Sequence, residues 1–126
     1  MEGISLKFEG NYIPLCDGGY DVPLVPSGTL YAIMESTQKE IGSLSIYYSK
    51  IRGGIYLHSF GIWHENNRNK GIGRKMLRHI KEMCGEINIY LSCAHGNDRA
   101  LHLYKSEGFE IVEDGDWYEM IYINSK

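Results

Sequence analysis

A chain of 126 residues, 43% hydrophobic and 23% charged, has enough apolar side chains for one modest core, a balance that fits neither disorder nor a fibre. No apolar run approaches the roughly 20 residues of a membrane helix, and Met1–Phe8 lacks the basic start and apolar stretch of a signal peptide. Net charge is −3, and the odd, widely spaced Cys16, Cys84 and Cys93 read as reduced thiols, so a cytoplasmic protein with a single domain over 1–126 is expected.

Taken in chain order, residues 10–28 are rich in Gly and Pro and read as an irregular entry segment. Leu30–Met34 is a short apolar run with strand character, and Glu40–Tyr48 alternates apolar with small polar residues as its antiparallel partner. Ile55–Trp63 is a third apolar run, in which Gly61 marks a bulge or a close backbone approach. From Gly71 the period changes. Ile72, Met76, Leu77, Ile80, Met83 and Cys84 recur at helical spacing, and Gly85 is the expected stop. Ile87–Leu91 alternates as a strand. Asn97 sits where a helix cap belongs, Ala100, Leu103 and Tyr104 share one face, and Gly108 ends that helix. Strands near 109–112 and 117–123, joined by a turn at 113–116, close a mixed sheet with helices packed on it.

Charge is unevenly spread. Arg68, Lys70, Arg74, Lys75, Arg78 and Lys81 fall in one window that holds no acid, which suits a confined anionic ligand better than a nucleic acid. The most informative string lies there: Arg68-Asn69-Lys70-Gly71-Ile72-Gly73-Arg74, between a strand and a helix. The first turn of a helix offers unpaired N–H groups and a positive dipole end, glycines admit close approach, and Arg68, Lys70 and Arg74 add charged donors. Together they read as a pyrophosphate cradle. A P-loop string is missing, and the third glycine of a dinucleotide fingerprint is replaced by Met76. The five histidines and three cysteines form no ligand-spaced cluster, so no metal is expected.

Arg68-x-x-Gly71-x-Gly73, followed downstream by Asn97-x-x-Ala100-x-x-Leu103-Tyr104-x-x-x-Gly108-Phe109, resembles the coenzyme A loop and following helix of the GNAT superfamily of N-acetyltransferases. The resemblance covers residues 55–113. It implies a GNAT-like α/β fold with a mixed, mostly antiparallel sheet, and acetyl-CoA as cosubstrate. It implies strands 55–63 and 87–93 splaying apart, with the backbone of Ile62, Trp63 and His64 facing pantetheine and an N–H near Ile62 steadying the thioester oxygen. Arg68, Asn69, Lys70, Gly71, Ile72, Gly73 and Arg74 would hold the pyrophosphate, Asn97 would touch the cofactor, and Tyr104 would be the general acid. His58 falls on the strand where the family often places a base or a substrate contact.

Two departures stand beside the resemblance. No helical period marks residues 10–28, so the family's N-terminal helix pair is expected to be reduced or absent, leaving the acceptor side open or completed by a second subunit in a homodimer. The glutamate that some members carry after the first helix falls near Ser92, so that base is missing. The acidic remainder of the chain favours a cationic acceptor: a small amine, a polyamine, or a peptide lysine or N-terminus. The alternatives are an acyl-CoA-binding sensor or scaffold without turnover, and a nucleobase-modifying enzyme on the same fold. No second basic patch supports a nucleic-acid partner.

Overall fold

The computed structural model describes residues 3–14, 24–62 and 71–124. Seven strands form one sheet: β1 (Ile4–Pro14), β2 (Leu24–Met34), β3 (Lys39–Ser49), β4 (Gly54–Ile62), β5 (Ile89–Ala94), β6 (Glu110–Asp114) and β7 (Trp117–Tyr122). Helix α1 (Ile72–Cys84) connects β4 to β5, and α2 (Asp98–Ser106) connects β5 to β6. The spatial order is β1-β2-β3-β4-β5-β7-β6, and every neighbouring pair is antiparallel except β4 with β5. The α1 crossover makes that one parallel pair, as a connection of its length allows. Among the described residues no helix is long and apolar enough to cross a membrane.

The reading of residues 10–28 as irregular is corrected. β1 runs through Pro14 and β2 begins at Leu24, with Gly10 opposite Gly28 and Tyr12 opposite Pro26. These glycines are not punctuation. A Cβ on Gly10 would lie 2.2 Å from the Ser27 carbonyl oxygen, and one on Gly28 would lie 2.3 Å from that of Glu9. They allow two backbones to approach. Pro14 is tolerated because β1 is the edge of the sheet, and Pro26 because β2 pairs with β3 only from Gly28 onward. The segment 15–23 between the two strands lies outside the described residues.

Alternation divides the sheet into two faces. Leu30, Ala32, Leu44, Ile46, Ile55, Leu57, Ile89, Leu91 and Met120 are buried on one, beneath Ile72, Met76, Leu77, Ile80 and Cys84 of α1. The α1 stripe is the one its sequence spacing predicts, and Gly85, at φ 60°, ends the helix as expected. The other face bears Tyr31, Ser45, Tyr47, Tyr56, His58, Ser92 and Glu119, in register across β2, β3, β4, β5 and β7.

Candidate functional site

The strand pairing explains how a cleft arises. β4 and β5 pair only at Ile55–Ile89, Tyr56–Tyr90 and Leu57–Leu91, although β4 continues to Ile62 and β5 to Ala94. Beyond Leu57 the strands diverge. The cause lies in β4. Opposite Ser43 and Ser45 of β3 stand Gly61 and His58, so β4 carries one extra residue there, and Ser59 adopts a positive φ of 52°. A bulge of this kind bends its strand. The bulge expected at Gly61 lies just before it, and it turns Phe60 toward the helices, 6.3 Å from Tyr104 between ring centroids.

The cleft has a volume of about 610 Å³ and is lined by the end of β4 (Phe60, Gly61, Ile62), the start of α1 (Gly71, Ile72, Gly73, Arg74) and one side of α2 (Asn97, Arg99, Ala100, His102, Leu103, Tyr104). Six of the residues singled out in the sequence therefore meet beside Ile62 on its wall: Gly71, Ile72, Gly73, Arg74, Asn97 and Tyr104. Trp63, His64, Arg68, Asn69 and Lys70 lie outside the described residues. His58 does not line the cleft. It points to the helix-free face, with Tyr47 edge-on at 5.2 Å and Tyr56 stacked at 6.5 Å.

Each wall has a local cause. Gly71 precedes α1 in the left-handed region at φ 77°, which favours glycine. The first helical bond it accepts comes from Lys75 N–H at 3.0 Å, so the N–H groups of Ile72, Gly73 and Arg74 precede the intrahelical ladder. Gly73 lets two side chains pack closely against α1. A Cβ there would stand 3.2 Å from Leu103 Cδ2 and 3.4 Å from Phe60 Cζ. Asn97 caps α2, its Oδ1 accepting from Ala100 N–H at 3.3 Å, as the sequence predicts.

Tyr104 is 8% exposed, its ring held between Phe60 and Phe109. Burial raises its phenol well above the ordinary value, with Cys93 beside it adding to the shift. The proton therefore stays on the oxygen throughout the neutral range. Burial also pushes the Cys84 thiol up to about 12 and raises that of Cys93, so neither is an activated nucleophile.

The basic window of α1 meets an acid that the window itself lacks. Glu107, at the end of α2 and with its side chain 3% exposed, is paired with Arg74, with Arg78 at 3.2 Å and with Lys81 at 3.2 Å. Lys81 Nζ also donates to the Glu107 carbonyl oxygen. Part of the positive charge read as ligand-directed is thus internal, and Arg74 serves both the cleft wall and this ion pair. A signal for Glu107 was present in the sequence. A carboxylate in the last turn of a helix opposes the helix dipole, so it calls for a cationic partner. Arg99 and His102 were also missed. They follow Asn97 on α2, and only the packing of α2 beside α1 shows that they face the cleft.

A family model described as the acetyltransferase (GNAT) domain matches residues 26–111. The chain belongs to this GNAT acetyltransferase family. Among its relatives, the N-alpha-acetyltransferase 50 of Danio rerio is 42% identical over 50 residues, a match spanning 36% of this chain and 30% of that protein. Naa50 of Arabidopsis thaliana, solved in complex with the bisubstrate analogue CoA-Ac-MVNAL, superposes with a TM-score of 0.63 at 24% identity, covering 76% of this chain and 72% of that one. The IAA acetyltransferase of Bacillus cereus gives 0.69 at 16% identity, covering 96% of this chain and 99% of that one. At these identities the structural likeness is one of fold. The chain spans under a third of the curated relative it matches.

Proposed function

We propose that this chain is an acetyl-CoA-dependent N-acetyltransferase acting on a primary amine. The observation that carries the proposal is the splay of β4 from β5 beyond Leu57–Leu91, which opens beside a helix N-terminus on one wall and a protonated, cleft-facing Tyr104 on the other. Naa50 of Arabidopsis, bound to a coenzyme A–peptide conjugate, supports both the cofactor and a peptide-like acceptor.

Acetyl-CoA, when bound, supplies an acetyl group activated as a thioester. The residues present fit it. The open N–H groups of Ile72, Gly73 and Arg74 and the positive end of α1 suit a pyrophosphate, with Arg99 as a further cation on the wall. Arg68, Asn69 and Lys70 belong to the same loop by sequence, and Asn97 adds a polar side chain at the cap of α2. The end of β4, at Gly61 and Ile62, would hold the pantetheine arm and steady the thioester oxygen through polar backbone, and Trp63 and His64 follow it in the sequence. Tyr104 gives its proton to the departing sulfur. A panel of spermidine, an N-terminally blocked lysine peptide and a peptide with a free N-terminus, assayed for release of free coenzyme A, tests the function. Acetyl-CoA bound tightly without any release would favour the scaffold alternative.

The acceptor is expected to be cationic. Glu35, Glu40, Glu110, Glu113, Asp114 and Asp116 lie outside the cofactor helix, and net charge is −3. In the same panel, neutral amine analogues should react more slowly than their cationic counterparts. Turnover restricted to neutral or anionic acceptors would remove this expectation and leave acetyl transfer standing.

Gly71→Val separates backbone strain from side-chain bulk. A Cβ at Gly71 meets nothing within 4 Å, so the cost comes from forcing a β-branched residue to φ 77°. That strain is worth about 1–2 kcal/mol, and relieving it turns the first N–H groups of α1 away from the cleft. Acetyl-CoA affinity should fall by roughly tenfold or more, since 1.4 kcal/mol is a factor of ten. Gly71→Asn, which tolerates this conformation, should lose less. Calorimetry on both variants checks the order.

A further inference from the structure

An unassigned hydrogen-bonded chain crosses the helix-free face of the sheet at the mouth of the splay. Tyr56 Oη donates to Ser92 Oγ at 2.9 Å, and Ser92 Oγ donates to Glu119 Oε1 at 2.8 Å. Tyr56 stands in the next-to-last residue pair before β4 and β5 part, and Ser92 is the first residue of β5 beyond the last pair. Ser92 is the position where the sequence shows no carboxylate. The structure supplies one from the adjacent strand, because β7 places Glu119 directly opposite Ser92. Arg52, from the turn between β3 and β4, fixes the assembly: its Nη2 donates to Glu119 Oε1 at 3.0 Å and its guanidinium lies 4.3 Å over the Tyr56 ring.

The chain has a direction. An ionised carboxylate only accepts hydrogen bonds, so Ser92 must spend its one proton on Glu119. The Ser92 oxygen then accepts from Tyr56, which leaves the Tyr56 oxygen able to accept from a donor on the open face and not to donate to it. An ammonium or amine N–H is such a donor. The ring of Tyr47 stands beside Tyr56 on this face at 5.6 Å and suits a cation, while one face of Tyr56 itself already carries Arg52.

Building on the transferase function above, we propose that Tyr56, Ser92 and Glu119 form a one-way proton path that deprotonates the acceptor ammonium, with Glu119 as terminal acceptor. An N–H bond of the ammonium breaks as an O–H bond forms on Tyr56. The former Tyr56 proton passes to Ser92, and the former Ser92 proton to Glu119, which becomes a neutral carboxylic acid. The nitrogen keeps its electron pair, and Tyr56 and Ser92 finish as neutral hydroxyls. Glu119, with its side chain 25% exposed, returns the proton to water. The second amine proton, released as the amide forms, balances the one Tyr104 gives to sulfur. Among the described residues, the titratable and charged groups on this face around Tyr56 and Glu119 are Arg52, Tyr47 and His58, Tyr90 of β5, and Glu113 opposite Glu119 on β6.

The test is the pH profile of kcat/KM for the fastest primary amine of the panel, in wild type, Glu119→Gln, Ser92→Ala and the double variant. Glutamine keeps the shape of the site and cannot take the proton. Near pH 7, with an acceptor that is an ammonium there, Glu119→Gln should be slower by about 10²-fold or more. Its rate should climb with pH and converge on wild type as the ammonium loses its proton to solvent without help. Ser92→Ala should behave alike, and the double variant should be no worse than either single one. Calorimetric acetyl-CoA affinity should be unchanged in all three. A loss in Glu119→Gln that is the same at every pH makes the glutamate structural and overturns the inference, as does a limb that moves in His58→Gln and stays in Glu119→Gln. Wild-type turnover matched by Glu119→Gln at every pH overturns it alone. A wild-type chain that turns over no amine of the panel overturns the transferase function together with it.

Discussion

Tyr104→Phe is expected to lower kcat by about 10²-fold or more and to leave acetyl-CoA affinity nearly unchanged. Phenylalanine preserves the ring contacts with Phe60 and Phe109, at 6.3 and 5.9 Å, so the packing of α2 against β4 survives. What is lost is one proton on a cleft wall. Tyr104 lines the cleft together with Gly61 and Ile62. Burial, with Cys93 beside it, raises the phenol and keeps it loaded. A raised phenol is a weaker acid, so it first stabilises the sulfur by a hydrogen bond and transfers its proton late, when charge on the leaving group is greatest. Steady-state kinetics with a binding isotherm decide the role. If both kcat and affinity hold, Tyr104 is a core aromatic. If affinity falls and saturated turnover holds, the hydroxyl positions the sulfur end without giving up its proton.

Glu107→Ala is expected to destabilise the fold by about 1.5–3 kcal/mol, the range for losing hydrogen bonds to charged groups. The full 3–5 kcal/mol for breaking a buried pair is not reached, because Arg78 and Arg74, 66% and 37% exposed, can turn to water. The midpoint of thermal unfolding should drop by roughly 10 °C for a domain of this size. The effect depends on pH. Burial pushes the Glu107 carboxyl up, but hydrogen bonds from Arg78, Lys81 and Arg74, with the nearby charge of Lys81, outweigh it and leave the group below its ordinary value of 4.5. A carboxyl lowered by folding contributes stability above its unfolded value, and that contribution is lost as pH falls through the folded one. Wild type and variant should therefore differ fully near neutrality and converge in acid below the usual glutamate range. Thermal unfolding followed from pH 7 to pH 3 measures both. A constant gap across that range would mean that the ion pairs with α1 are not what Glu107 contributes.

The sequence by itself determined the two helices, their ends and the loop that opens the first. Ile72 to Cys84 announces α1, Gly85 stops it and Asn97 caps α2, because helical order is written in residues three and four apart. The glycine string at 71–73 was legible for the same reason. Alternation made the strands from Leu30 onward legible too, and only the tertiary structure decided how they meet. Gly10 and Gly28 look like loop residues until β1 and β2 are seen to need their close approach. The divergence of β4 from β5 depends on a bulge whose presence shows only against β3. Glu107 meets Arg74, Arg78 and Lys81, and Glu119 meets Ser92, across separations of 26 to 33 residues. The sequence places a carboxylate neither at position 92 nor in the basic window, and strand register and helix packing bring one to each. Register is set by contacts between distant segments, so no local spacing records which side chains will stand opposite one another.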